Sequence, residues 1–180
     1  PHAKLSVELL FSQDLICHYL SEELMAYAPL VHDAILYHGV FQIPKELSGP
    51  SLFFTKLIRD ADKLDNFRVK AFDSMEAMLD VTVEELNEEK LSDYAFHTFM
   101  EKKPLLNSLR ETHLDMWLSY VAYLFDLNFP ASFRYLEENG YVTAILSRVS
   151  PKDPLTRQRW DIISQQAQSF LRMSSKSIDL

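Results

Sequence analysis

Apolar residues recur along this chain at three- and four-residue intervals rather than at alternating positions, the period of helices that bury one face. Leu5, Leu9 and Leu10, then Leu15, Ile16, Tyr19 and Leu20, keep that spacing on either side of Ser12-Gln13-Asp14, which predicts two short helices with a break between them. Pro29 opens a new segment, because a first helical turn needs neither its missing N–H nor any φ other than its own. Val31, Ala34, Ile35 and Leu36 carry this helix to His38, and Gly39 with the loop from Ile43-Pro44 to Gly49-Pro50 ends it. Ser51 reads as the cap of the next helix, Leu52 to Phe72, whose amphipathic pattern is interrupted by charge from Asp60 to Asp65.

Further along, Thr82 with Glu85 and Thr112 with Asp115 have the spacing of capping boxes. Leu114 to Leu127 is the most apolar helix: Leu114, Trp117, Leu118, Val121 and Phe125 share one face, and Met116, Tyr120, Tyr123 and Leu127 fill much of the other. That pattern predicts a central core element. Pro130 to Asn139 reads as a short helix stopped by Gly140, and Pro154 to Met173 as a last amphipathic helix with Ile162, Ile163, Ala167, Phe170 and Leu171 inward. Ser174 to Leu180 reads as a frayed tail, and the acidic run Glu84 to Glu89 as a solvated helix face.

Composition supports this picture. With 180 residues, 47% hydrophobic and 24% charged, the chain can bury one core, and only 3 glycines are present to make the tight turns of an all-β fold, so a single all-α domain is expected. A net charge of −8 and the absence of any Lys/Arg-rich run argue against non-specific binding to nucleic acid. Cys17 is the sole cysteine and forms no intrachain disulfide, and no apolar run is long enough to span a membrane, so the chain reads as soluble and cytoplasmic. Its oligomeric state stays open.

The chemistry concentrates in Arg59-Asp60-Ala61-Asp62-Lys63-Leu64-Asp65. Asp62 and Asp65 can share a helix face, whereas Asp60 points well away from Asp62. Clustered carboxylates repel unless cations or donors meet them. On spacing alone the simplest reading is a surface helix laced with ion pairs such as Arg59 with Asp62.

Four features in order give a more specific reading: His2 in Pro1-His2-Ala3-Lys4-Leu5-Ser6-Val7-Glu8-Leu9-Leu10-Phe11, His38 in Ala34-Ile35-Leu36-Tyr37-His38, Ile43-Pro44, and Leu57-Ile58-Arg59-Asp60-Ala61-Asp62-Lys63-Leu64-Asp65. In this the chain resembles a bacterial branch of the HD-superfamily metal-dependent phosphohydrolases, over their carboxyl-terminal two-thirds. Weaker similarity continues through Trp117-Leu118 and Phe125-Asp126-Leu127-Asn128-Phe129. The resemblance implies one HD-like helical bundle over 1–180. Residues 1–73 would form the remainder of the core and carry the metal site, with the helices of 74–180 packed on it.

The resemblance also implies roles. Asp62 would be the late aspartate of the metal site, with His2 and His38 as additional ligands, for a divalent ion that could be manganese, iron, magnesium, nickel or zinc. The substrate would be a small phosphorylated molecule, a phosphate ester or nucleotide, hydrolysed by metal-activated water, with Lys63 and then Arg59 stabilising charge on the leaving phosphate. Lys63 pairs with Asp60 or Asp65 in the competing reading. The family's early histidine and His-Asp pair would lie before His2, so the resemblance describes an amino-terminally incomplete copy holding part of the shell. His32-Asp33 is a literal His-Asp pair, but lies too close to His38 to fit the family's order, and reads as an exposed pair near a helix start. His18, His97 and His113 have no carboxylate or cysteine at metal-ligand spacing and read as structural or solvent-facing. No phosphate-cradling glycine loop or serine nucleophile elbow occurs. The reading from another class is a catalytically dead helical module that binds a nucleotide or a protein through the same pocket.

Overall fold

The computed structural model describes residues 2–176, and among these the regular structure is entirely helical, without strands. The all-α expectation holds. The chain divides into two compact units, residues 1–62 and 63–180.

In the first unit, α1 (His2–Val7) runs into a single wider π-turn, Glu8–Ser12, and the chain breaks at Asp14, whose φ of 54° is left-handed. Leu15–His18 and Glu22–Tyr27 are 3-10 turns rather than the second α-helix expected there, since stretches so short cannot offset the cost of nucleating an α-helix. The helix α2 (Ala28–Tyr37) has Pro29 in its first turn, as its sequence predicts. The long helix α3 (Gly49–Phe72) starts two residues before Ser51, on a glycine with φ +55°. Ser51 is therefore not its cap: the hydroxyl donates instead to the Asp33 carboxylate at 2.7 Å. Among the described residues of this unit the buried hydrophobics are Ile16, Ala28 and Ala34, while Phe53, Phe54, Leu57 and Ile58 on α3 are exposed.

The second unit contains the end of α3 and then α4 (Met75–Leu79), α5 (Val83–Glu88), α6 (Asp93–Met100), α7 (His113–Val121), α8 (Pro130–Asn139), α9 (Tyr141–Ser147) and α10 (Pro154–Ser175). Most start at a side-chain cap. Ser74, Thr82, Ser92, Thr112 and Asp153 each accept a backbone N–H of their own first turn, and Thr82 with Glu85 closes both bonds of a capping box. Thr112 and Asp115 do not close the second one, because the Asp115 carboxylate takes the N–H groups of Ser92 at 3.0 Å and Glu111 at 2.9 Å. The apolar helix predicted to reach Leu127 ends as α at Val121 and tightens into a 3-10 turn, Ala122–Asp126; Pro130 then holds Phe129 extended. Gly140, at φ +67°, stops α8 and starts α9.

The hydrophobic core lies in this unit, around Trp117, Leu118, Val121, Leu136, Ile145 and Ile163, all fully buried. Truncating such a residue to alanine costs about 2–5 kcal/mol, from lost burial plus the cavity left behind. Two indoles tie the carbonyl end of α9: Trp117 Nε1 donates to Ile145 O and Trp160 Nε1 to Leu146 O, each at 3.2 Å. Helix α10 extends past the predicted stop at Met173, because Ser175 is buried and its hydroxyl bonds the Glu137 carboxylate. The remainder of the predicted tail, 177–180, lies outside the described residues. No helix among the described residues is long and apolar enough to cross a membrane.

Candidate functional site

His38 follows the last residue of α2, with helical backbone angles and its N–H still bonded to Ala34 O at 3.1 Å. Its Nδ1 lies 2.7 Å from Ile35 O. A carbonyl oxygen only accepts, so Nδ1 carries the proton and, in the neutral ring, Nε2 keeps its lone pair. That lone pair meets the other predicted histidine. His2, at the start of α1, places its Nε2 3.2 Å from His38 Nε2, with ring centroids 5.3 Å apart and the planes tilted by 56°. The arrangement is a hydrogen bond when His2 holds its proton on Nε2. It also suits one divalent cation, since two imidazole nitrogens at about 2.0–2.1 Å from an ion stand roughly 3 Å apart. A ligating histidine whose second nitrogen donates to a backbone carbonyl is the usual device for fixing tautomer and ring direction. The two imidazoles fit a borderline divalent ion in donor type, in separation and, for His38, in tautomer. Among the described residues, no group of three or more His, Cys, Asp or Glu side chains with metal-holding placement occurs.

Arg59 is 3% exposed. Its Nη1 donates to His38 O at 2.8 Å and Val40 O at 2.5 Å, and its Nη2 to Phe41 O at 3.2 Å. The guanidinium thus holds the carbonyls that follow α2. Asp60 is buried, whereas Asp62 is exposed near the middle of α3.

Within the second unit, Lys63 is buried and its Nζ lies 3.1 Å from Asp126 Oδ2 and 5.8 Å from the centre of the Tyr123 ring. Asp65 pairs with Arg68 on the surface at 2.7 Å, and that hydrogen bond, with the accompanying charge attraction, raises the guanidinium's pKa. Burial pushes the Lys70 ammonium below its ordinary value, 4.5 Å over the Tyr120 ring.

His32 and Asp33 form a local pair, Nδ1 to Oδ1 at 3.2 Å, but Asp33 also receives the Ser51 hydroxyl, and the His32 ring meets the edge of Phe11 at 5.1 Å. The pair is part-buried and helps tie α2 to α3, where sequence suggested an exposed pair. His113 has a carboxylate partner after all: Glu89 reaches its Nδ1 at 2.6 Å and the Leu114 N–H at 2.8 Å. Glu89 is accordingly a cap for α7 and not part of a solvated face. Local spacing carries no sign of Glu89 or of Asp126, because each meets its partner across a long stretch of chain.

No family model, curated protein or solved structure matches the chain.

Proposed function

We propose that this chain belongs to a metal-dependent phosphohydrolase of the HD superfamily and that His2 and His38 supply two ligands to its divalent cation. The observation that carries the reading is the meeting of the two Nε2 atoms at 3.2 Å, with the His38 tautomer set by the Ile35 carbonyl. When bound, a divalent ion lowers the pKa of its water and offsets charge on phosphoryl oxygens. The chain's own contribution is to aim two imidazoles at one point, with the His38 ring direction set by the Ile35 carbonyl. The reading takes the substrate to be a small phosphate ester or nucleotide.

The test is a screen of phosphomonoesters and nucleotides with Mn2+, Fe2+, Mg2+, Ni2+ and Zn2+, run on the wild type, His38→Ala and His2→Ala. Cation-dependent release of phosphate that falls in both variants supports the proposal. Turnover that is the same in all three proteins contradicts it.

A second reading, a helical module that binds without turnover, is favoured by the first unit's apolar surface. A cavity of about 400 Å³ lies there between α2 and α3, lined by Leu30, Val31, Ala34, Ile35, Phe54 and Ile58. An apolar surface of this kind favours a protein partner over a nucleotide, and phosphate release in the screen above argues against this reading.

A further inference from the structure

The family resemblance implies that Arg59 contacts a leaving phosphate, but its surroundings give it other work. It is 3% exposed, and both terminal nitrogens donate into the backbone just past α2, to His38, Val40 and Phe41. The carbonyl of the C-cap, His38, and the loop carbonyls of Val40 and Phe41 have no helical partner, and the guanidinium satisfies all three while placing positive charge at the negative end of the α2 dipole. This segment needs such a hold. Gly39 follows His38 immediately, Phe41 is exposed, and residues 38–42 form no regular element.

His38 is therefore fixed at two points, its ring by Ile35 O at 2.7 Å and its carbonyl by Arg59 at 2.8 Å. We infer that Arg59 is a positioning residue: by clamping the backbone of residues 38–41 it holds the His38 imidazole where its Nε2 meets that of His2, and it acts on cation binding without touching cation or phosphate. This rests on the His2/His38 cation reading above and assigns Arg59 a different part in it. A planar fork that binds three separate carbonyls cannot be reproduced by the single point charge of a lysine.

The experiment is a Co2+ titration of the 180-residue chain, followed by visible absorption well below the melting temperature. It compares the wild type, His38→Ala, Arg59→Lys, Arg59→Gln and Ser51→Ala. Ser51→Ala cuts a separate polar tie between α3 and α2, at Asp33, and is the control for loss of stability alone. Arg59→Lys and Arg59→Gln are expected to weaken Co2+ binding by about 10- to 100-fold, the usual effect of removing a group that orients a ligand, while Ser51→Ala binds as the wild type does. Wild-type affinity in Arg59→Lys, or equal weakening in Ser51→Ala, overturns the inference while a loss in His38→Ala leaves the cation site standing. Wild-type affinity in His38→Ala overturns the cation reading and the inference with it. Should the Arg59 variants not fold, NMR of the 15N-arginine-labelled wild type decides. Inorganic phosphate is expected to leave the Arg59 side-chain signals in place, and a phosphate-induced shift makes Arg59 a phosphate ligand and overturns the positioning role.

Discussion

Lys63 and Asp126 face each other at 3.1 Å, with 7% of the lysine side chain and 25% of the aspartate side chain exposed. Asp126 is the last residue of the 3-10 turn that follows α7, so this lysine is met from well outside its own helix. Removing the charge at Asp126 leaves an ammonium in a mostly buried setting, the costly way to break an ion pair. Asp126→Asn is expected to destabilise the protein by about 2 kcal/mol, less than the loss at a fully buried pair because part of Asp126 is wet. Urea unfolding checks it, and an unchanged midpoint would mean that the pair adds nothing to stability.

Glu89 makes a comparable link to the start of α7, accepting the Leu114 N–H and meeting the His113 ring. Glu89→Ala should cost about 1–2 kcal/mol, as for other lost helix caps. Glu89→Gln, which keeps an acceptor for the N–H, should recover part of that. Equal melting temperatures for the two variants would remove the capping role.

Thr55 is completely buried, and its hydroxyl has no hydrogen-bond partner among the described residues. It lies four residues from both Ser51 and Arg59, so all three share one face of α3, and the outer two reach α2 and the chain just beyond it. An unsatisfied buried hydroxyl costs about 1–3 kcal/mol, whereas a methyl group of similar size does not. Thr55→Val should therefore raise stability by about 1 kcal/mol in the same urea assay. A loss of that size would show that the hydroxyl is bonded in solution.

Two helix caps set an acid limit. The Thr156 backbone N–H and then its hydroxyl lower the pKa of Asp153, and the Thr82 backbone N–H and then its hydroxyl do the same for Glu85. A carboxyl with a depressed folded pKa contributes stability that is present above its unfolded value and is lost as pH falls through the folded one. The melting temperature should thus decline below about pH 4. Asp153→Asn keeps a capping oxygen but cannot titrate, and should flatten part of the decline; an identical profile in the variant would exclude Asp153 as a source.

What could be read from the sequence was local. The capping box at Thr82 and Glu85, the stop at Gly140 and the start at Pro29 depend on residues a few positions apart, and the structure has all three. Helix α9 escaped notice because the glycine that ends α8 also begins it, so one stop signal hid a start. The histidines and the charged run of α3 were visible by residue type, but their partners were not. Lys63 finds Asp126, Arg59 finds the carbonyls after α2, and His113 finds Glu89, each through packing that no helical period encodes. The same holds for Ser51, whose place before an apolar run suggested a cap, while Asp33 on another helix took its hydroxyl.

The central claim is that His2 and His38 share a cation, and anomalous diffraction tests it most directly. Crystals grown with Zn2+ and measured on both sides of the zinc absorption edge should show one peak between the two rings, about 2.0–2.1 Å from each Nε2. Nε2 atoms in direct contact with no peak between them, at saturating Zn2+, would reduce the pair to a hydrogen bond and contradict the account.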